Sequence, residues 1–482
     1  MIKRTILFVL CFLVLSISLF AQEEEIAWNY EDEQNSIITR DEDVIWVFDN
    51  TETEKEEVVT EKKEYFRVPD RKFEIGLFTL GLGISNDFMT ASEFFKEKLT
   101  IDLDKLSDGF NINANSSISP FFINYNKNNI WGLGLYTGLD LFGLVGLSGG
   151  MLTFQEADIE ESDIGAAIFT EVNVHGFLTF SKFKIKLKPA VYYPILYAKP
   201  NKFSYTYLNK KTNEKDETYL NMELDMRVYT AFPMNYDFDI KDIFNITNIT
   251  DNISAKPGID ISVGAEYQLS EVLGLTEKFD FLDFDVGIEF VNIPLYSATM
   301  EDYMRMIVSL GSDKPIDFFS NMFNNMLNED SEKIDIDIEQ YYKYSMDEYG
   351  KEKINVLRPF KMLISVDWHP LDNPFMADRD VPFKIKREWL TVSPIFGFAI
   401  NPLYKESTSF EGGIKIRLNL VNLFIATFGT GYYDRLWKNS FDIRLNFKVF
   451  EIDLGVSMQS PLFLKSWSGG GLGAAFGLKF GW

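Results

Sequence analysis

The chain ends in the stretch LGAAFGLKFGW (472–482), and this stretch decides the fold. Leu472, Ala474, Phe476, Leu478, Phe480 and Trp482 alternate with glycine, alanine and one lysine. Successive side chains of a β-strand point to opposite faces, so one face of this segment is apolar and the other is small or charged. In lipid the open edge of such a strand needs a partner, which the first strand of a closed sheet supplies.

The same alternation precedes this stretch in many runs. Phe441, Ile443, Leu445, Phe447 and Val449 alternate with polar residues, and the pattern resumes from Ile452 to Met458, which predicts a tight antiparallel hairpin. Similar runs recur from Phe73 onward, and their lengths suit transmembrane strands of ~9–11 residues. We therefore predict an all-β protein, a transmembrane antiparallel up-and-down β-barrel of about 14–16 strands over residues 73–482.

In such a barrel the apolar face of each strand meets lipid and the polar face lines the lumen. The predicted lumen-lining charges are Lys415, Arg417, Arg444, Lys448, Asp260, Glu266 and Glu289. These charges either bias the passage of ions or brace the barrel as ion pairs. Aromatic residues near strand ends fit a membrane–water boundary. They are Tyr192, Tyr193, Tyr197, Trp368, Trp389, Tyr404, Tyr432, Tyr433 and Trp437.

The N-terminal region has a different composition. Lys3 and Arg4 precede an apolar run, which predicts a signal peptide over residues 1–21 with cleavage between Ala21 and Gln22. Residues 22–66 hold sixteen acidic against four basic residues, a net charge of −12, and lack glycine. We interpret 22–72 as an acidic periplasmic arm or hatch. The acidic balance of the whole chain, −25, argues against nucleic acid as a partner.

Residues that commonly carry catalysis are scarce. Cys11 is the only cysteine and lies inside the signal peptide, and the only histidines are His175 and His369. Ser365, Asp367 and His369 share one strand face, but neighbours on that face are about 6.6 Å apart, too far for a catalytic hydrogen bond. We therefore predict no catalytic, cofactor-binding or metal-binding residues, and no enzymatic activity.

Residues 297–350 break the alternation and are predicted to form a helical insertion on one barrel rim. Tyr303, Met306, Ile307 and Leu310 form one apolar stripe at helical spacing. A second stripe contains Phe318, Phe319, Met322 and Met326. This second stripe is either an apolar latch for a solute or the packing surface of a rim cap.

The terminal segment resembles the C-terminal signature of bacterial outer-membrane barrels. That resemblance implies that Phe476, Leu478, Phe480 and Trp482 are read by the barrel-assembly machinery, with tryptophan where such barrels usually have phenylalanine. The layout of signal, acidic arm, barrel and rim insertion resembles spirochaete-type outer-membrane barrels, loosely similar to long-chain fatty-acid transporter-like proteins. The resemblance implies a hatch role for residues 22–72, but the hatch of those transporters carries an Asn-Pro-Ala motif and this chain has none.

These observations together predict a protein of the bacterial outer membrane. A barrel of about fourteen strands exceeds the ~8 whose side chains alone fill the interior, so the lumen is either plugged or wet. One hypothesis is a channel or transporter for small or apolar solutes, with membrane lipid and an apolar small molecule as partners. The alternative is a surface structural or adhesive barrel without transport activity.

Overall fold

The computed structural model describes residues 67–87, 90, 109–148, 151, 162–211, 216–231, 254–275, 279, 281–311, 342–373 and 387–482. Two short helices lie in these ranges, α1 (Leu269–Val272) and α2 (Phe463–Trp467). No helix of the described part is long and apolar enough to cross a membrane. The strands are β1 (Phe73–Asn86), β2 (Gly109–Lys127), β3 (Trp131–Ser148), β4 (Asp163–Phe180), β5 (Phe183–Lys211), β6 (Asp216–Thr230), β7 (Gly258–Tyr267), β8 (Phe284–Tyr296), β9 (Ala298–Gly311), β10 (Tyr342–Val356), β11 (Phe360–Trp368), β12 (Leu390–Ile400), β13 (Thr408–Leu420), β14 (Phe424–Tyr433), β15 (Leu436–Asn446), β16 (Phe450–Ser460) and β17 (Gly471–Gly481).

Among the described strands, fourteen close into an antiparallel barrel, as predicted. The order around the ring is β1, β2, β3, β4, β5, β7, β8, β11, β12, β13, β14, β15, β16, β17 and again β1. Chain neighbours are therefore ring neighbours, except where β6, β9 and β10 leave the ring.

The C-terminal strand closes the ring, as its sequence predicts. β17 pairs with β1 from Glu74 opposite Gly481 to Ser85 opposite Gly471. The Trp482 carbonyl oxygen accepts hydrogen bonds from the backbone N–H groups of Lys72 and Phe73, both at 3.0 Å. The Phe73 and Trp482 rings lie 4.9 Å apart, so the terminal aromatic covers the seam from outside. Closure leaves neither edge strand open to lipid.

The two ends of the barrel differ. At one end, which we call the terminal end, the chain enters β1 and leaves β17, and short connections such as 128–130, 181–182, 421–423 and 447–449 join the strands. Asn128, Asn129, Ser181, Asn422 and Lys448 have positive φ there, as tight hairpin turns require. At the opposite end, the loop end, most connections are longer.

A four-stranded wall rises beyond the ring at the loop end. It consists of residues 196–211 of β5, followed by β6, β9 and β10, all antiparallel. β9 continues β8, and β10 leads into β11, so the wall extends ring strands past the rim.

The wall corrects the prediction of a helical insertion over 297–350. Residues 298–311 and 342–350 belong to strands β9 and β10. In β9, Met300, Met304, Met306 and Val308 in fact alternate with less apolar residues, but apolar Tyr303 and Ile307 on the other face imitate helical spacing. The predicted latch residues Phe318, Phe319, Met322 and Met326 lie outside the described residues, as do Ala21 and Gln22.

Apolar side chains cover the outside of the ring. Val172, Val174, Leu178 and Phe180 of β4 are exposed, and Phe410 of β13 is 63% exposed. The intervening residues of β4, among them Glu171 and Asn173, are buried and point inward. Soluble proteins do not present an apolar belt of this extent to water, whereas a barrel in lipid requires one.

Candidate functional site

The candidate site is the barrel lumen, where the inward faces of the strands bring charged side chains together. Lys184 and Lys186 of β5 both contact Glu266 of β7, with 3.6 Å between the Lys184 Nζ and a Glu266 oxygen. Lys415 and Arg417 alternate with exposed Ile414 and Ile416, which places both on the inner face of β13. Glu289 of β8 faces Gly264 of β7 on the same side.

One predicted lumen charge is misplaced. Lys448 lies in the turn between β15 and β16, with φ of 68°, because β15 ends at Asn446. The alternation of Phe447 and Val449 continues the strand pattern in sequence but not in structure. Lys448 therefore does not line the lumen, and only its carbonyl oxygen takes part in the contacts described below.

A buried arginine joins inward-facing acidic side chains of β4 and β7. Arg358 donates to both carboxylate oxygens of Asp260, each at 2.8 Å, and also pairs with Glu171. Lys188 Nζ lies 3.2 Å from the other Glu171 oxygen. The side chains of Arg358, Glu171 and Asp260 are each less than 5% exposed. We call these four residues the arginine cluster.

The local chain explains how Arg358 reaches the lumen. Pro359 follows it and has no backbone N–H, so the strand pairing is interrupted between β10 and β11. Across this break, Asn292 of β8 adopts a φ of 54°. Its side-chain amide donates to the Pro359 carbonyl at 3.0 Å, and its side-chain oxygen accepts from Arg358 at 3.2 Å. The paired strands thus bend where the arginine turns inward.

An apolar cluster lies in the lumen towards the loop end. Phe169 is 1% exposed and Tyr192 is 1% exposed, and their rings meet edge to face at 6.1 Å. Phe142, Leu144 and Ala167 pack with them on the inner faces of β3 and β4. The Tyr192 hydroxyl donates to the Val356 carbonyl at 3.0 Å. Tyr192 is therefore not a boundary aromatic, contrary to the sequence prediction, because its side chain points into the barrel.

The loop end is crossed by residues 401–407, the connection from β12 to β13, which we call the cap. Leu403 is 3% exposed and belongs to the apolar cluster that the opposite side of the ring contributes. Lys199 of β5 donates to the Pro402 carbonyl at 2.9 Å. The Lys405 backbone N–H donates to Asp163 at the start of β4 at 2.6 Å. The cap therefore spans the mouth of the barrel.

A second contact across the mouth reinforces the cap. Arg435, in the turn between β14 and β15, lies 3.5 Å from Asp163, which is on the opposite side of the ring. The Arg435 guanidinium also stacks 4.6 Å from the Tyr404 ring and donates to the Glu406 carbonyl. Both partners of the ion pair are partly exposed, at 25% and 20% of their side chains, so solvent weakens their attraction.

The terminal end is crossed differently, by residues 67–72 ahead of β1, which we call the strap. Arg71 donates to Asn446 at 2.8 Å and to Glu451 at 3.1 Å, both on inward faces. Its Nε donates to the Lys448 carbonyl at 2.8 Å. Farther along, the Val68 N–H donates to Val421 O at 3.0 Å. The strap therefore passes from β1 across the terminal end, by way of the turn between β15 and β16 and the turn between β13 and β14.

The far end of the strap meets the start of β12. Arg67 donates to Asp70 at 3.1 Å and to Glu388 at 3.0 Å, and all three side chains are nearly buried. Burial raises the pKa of Glu388 to about 7, although the charge of Arg67 opposes this. Burial likewise raises the pKa of Asp70 against the opposing charge of Arg67. Protonation near neutral pH therefore alters how the strap is held.

Below the arginine cluster, a ladder of charges lines the terminal end. Lys479 of β17 lies 3.1 Å from Glu451 and 2.9 Å from Asp453, and Arg444 of β15 lies 3.2 Å and 2.9 Å from the same two residues. Arg444, one of the charges assigned to the lumen from the sequence, is therefore engaged in ion pairs. The ladder ties β15, β16 and β17 together beside the seam.

The lumen does not assemble a hydrolytic triad from Ser365, Asp367 and His369. Asp367 instead accepts a hydrogen bond from Ser393, and His369 Nδ1 lies 3.2 Å from the Thr391 hydroxyl. Within the described ranges, no group of three or more histidine, cysteine or acidic residues is placed to hold a metal ion.

Sequence reasoning missed the most buried members of the site. Arg358 stands outside any alternating run, and Leu403 lies in a loop, so periodicity assigns neither a role. Pro359 is the sequence signal available for Arg358, because proline has no N–H for a strand ladder and so marks an interruption in strand pairing. Leu403 has no comparable local signal.

No family model matches this sequence, and no curated protein is significantly similar to it. Solved structures of related architecture include a deletion mutant of the TodX monoaromatic hydrocarbon channel, with 8% identity, TM-score 0.40, and coverage of 86% of this chain and 91% of that one. The toluene transporter TbuX of Ralstonia pickettii has 8% identity, TM-score 0.38 and the same coverage. The translocator domain of NalP from Neisseria meningitidis has 6% identity, TM-score 0.31, and coverage of 86% and 89%. Similarities this distant do not bear on function.

Proposed function

We propose that this protein is a bacterial outer-membrane channel for small apolar solutes, closed at its loop end in the state described. The observation that carries the proposal is the apolar cluster inside the lumen. Barrel interiors are usually polar. Here Phe142, Leu144, Phe169 and Tyr192 form an apolar layer between the cap and the arginine cluster. An inward apolar layer suits a solute that prefers such surroundings to water.

The outer belt supports a membrane location. Its exposed aliphatic and aromatic residues, such as Leu178, Phe180 and Phe410, suit contact with hydrocarbon. Outer-membrane barrels have short periplasmic turns and longer outer loops. The terminal end therefore faces the periplasm, and the cap and wall face outside. Export by residues 1–21 and recognition of Phe476, Leu478, Phe480 and Trp482 by the assembly machinery are part of the proposal.

The geometry suggests how passage is controlled. A solute entering from outside must displace Leu403, because this side chain fills the apolar layer from the cap. The solute then replaces Leu403 against Phe169 and Tyr192, which limits the free-energy cost of opening. Below this layer, ion pairs of Arg358 with Glu171 and Asp260 brace the ring. Paired charges attract ions less than unpaired ones, so apolar solutes are favoured over salts.

Planar-bilayer and binding measurements on the refolded full chain test this proposal. We expect low ion conductance from the native protein and higher conductance after residues 402–406 are replaced by glycine and serine. Both proteins should bind the apolar fluorophore N-phenylnaphthylamine. A Phe169→Asp variant should lose that binding, while heat-modifiable gel migration reports an intact barrel. If neither the native protein nor the 402–406 variant conducts ions, and neither binds the fluorophore, the proposal is overturned.

The second candidate is a surface structural or adhesive barrel, favoured by the wall. Its strands β6 and β9 carry a compact ion pair, in which Arg305 donates to Asp225 at 2.9 Å and 3.0 Å. A folded sheet standing above the rim offers a binding surface without transport. Deleting the wall segments should abolish partner binding but leave conductance unchanged if this role is correct, whereas a channel role predicts that conductance changes.

A further inference from the structure

An apolar groove lies on the outer surface of the ring near the loop end, separate from the lumen. Its volume is about 610 Å³, within the range of small-molecule sites. Leu82 of β1 and Leu472 of β17 line one side, and Phe428, Phe441 and Trp467 line the other. Ala474 provides a small side chain between them. Every one of these side chains faces outward, away from the charged lumen.

The groove exists because α2 folds down against the outside of the barrel. Trp467 packs 6.3 Å from Phe428, and Phe463 packs 4.8 Å from Trp437. Beneath the helix, Asn439 donates to the Ser466 hydroxyl at 3.0 Å and accepts from Thr430 at 2.7 Å. These outward polar groups are therefore paired under α2, and the outer surface of the ring next to them stays apolar.

The surface around α2 is unusually apolar for a loop. Leu464 is 79% exposed, and Leu462, Phe463 and Trp467 are also exposed. These side chains continue the lipid-facing belt past the end of β16. A groove that interrupts this belt is open to the same hydrocarbon as its surroundings. Water in the groove would contact apolar side chains on both of its sides, which is unfavourable.

We propose that this groove holds one acyl chain of a membrane lipid in a defined position between Trp467 and Leu472. The proposal rests on the membrane location given under the proposed function. An acyl chain is long, narrow and apolar, so it can fill the groove from the bilayer without leaving hydrocarbon. Filling the groove restores the dispersion contacts that an empty depression lacks.

Photo-crosslinking tests the proposal on the full chain in vesicles of phosphatidylcholine that carries a diazirine on one acyl chain. We expect the peptides containing Phe441 and Trp467 to be labelled more heavily than other lipid-facing peptides. Ala474→Phe fills the groove while keeping an apolar surface, and it should remove this excess. Ala426→Phe is the matched control, because Ala426 faces outward on β14 but does not line the groove.

The outcomes separate this inference from the proposed function. Even labelling around the belt, or equal labelling of the Ala474→Phe variant, would overturn the acyl-chain site while leaving a membrane barrel. Crosslinks between two copies through Trp467 would also overturn it, since a second copy would then occupy the groove. Absence of all labelling, together with loss of heat-modifiable migration, would contradict the membrane location itself.

Discussion

The two crossings of the lumen are built on different chemistry. The strap at the terminal end is held by buried charges: Arg71 is 3% exposed and contacts Glu451, Asn446 and a backbone carbonyl. The cap at the loop end is held by one buried leucine and by exposed hydrogen bonds to Lys199 and Asp163. Beside it lies the Arg435–Asp163 ion pair, which is about one quarter exposed. Buried charges are costly to separate, whereas a leucine and a wet ion pair part more easily.

This difference assigns different mobility to the two ends. The strap joins directly to β1 and hydrogen-bonds to the turns of β13–β14 and β15–β16, so its release would disturb the barrel seam. The cap contacts the opposite side of the ring through hydrogen bonds and packing that involve side chains. It can therefore move away from the mouth without breaking a strand pair. We therefore expect the cap to be the gate and the strap to be a fixed part of the barrel.

Removing the strap arginine should have the largest effect. Arg71→Ala removes a buried cation that lies 3.2 Å from Glu74 and 3.1 Å from Glu451. We expect a loss of about 3 kcal/mol in the free energy of unfolding. Urea unfolding in lipid vesicles, followed by tryptophan fluorescence, measures it. Arg227→Ala in the wall is the control, because this arginine is 26% exposed and should cost under about 1 kcal/mol. Equal losses would mean that the strap is no more firmly held than the wall.

Truncating the cap leucine should act on opening rather than on the whole barrel. Leu403→Ala removes buried apolar contact worth about 2 to 3 kcal/mol. Because the cap can separate locally, we expect a large increase in open probability in planar bilayers and little change in urea unfolding. Leu403→Met keeps the volume and should behave like the native protein. A variant that unfolds readily but opens no more often would contradict the assignment of the gate.

The barrel is predictable from sequence because its determinants are local. Alternation in β13, β15, β16 and β17 reports which face meets lipid, and the aromatic C terminus predicts the seam between β17 and β1. Lumen positions such as Arg444 and Glu266 follow from the same parity. Lys448 was assigned wrongly because a turn can continue a period of two for a few residues after the strand has ended.

The crossings of the lumen are not predictable in this way. Leu403 joins the apolar cluster that contains Phe169 only because the ring brings β4 opposite the connection of β12 and β13. Arg71 meets Glu451 across 380 residues of sequence. Tyr192 meets the Val356 carbonyl across 164 residues of sequence. Such contacts depend on three-dimensional closure, which residue spacing alone does not encode.

The pH dependence of the strap distinguishes the two ends further. Burial raises the folded-state pKa of Glu388 to about 7, above the unfolded value, so the folded state holds this proton more tightly. Folding is therefore favoured when Glu388 is protonated, and stability falls as pH rises from about 5 towards 8, by up to about 2 kcal/mol. Urea unfolding at both pH values should show this loss, and Glu388→Gln should reduce it. An unchanged slope in the variant would exclude Glu388 as the source.

The smallest effect belongs to the exposed ion pair across the mouth. Asp163→Asn removes the charge that faces Arg435 and should cost the closed cap less than about 1 kcal/mol, because water already screens the pair. Open probability should rise only a few-fold, by about fivefold at most. Raising the salt concentration should increase opening of the native protein, since added ions weaken the pair, but should change the variant little. Arg435→Gln should also raise opening a few-fold, and the double variant should open less than the two effects combined, because both variants break the same ion pair. Part of each effect remains separate, since Arg435 also stacks on Tyr404 and Asp163 also accepts from the Lys405 N–H. Fully additive effects would show that the ion pair itself contributes nothing to closing the cap.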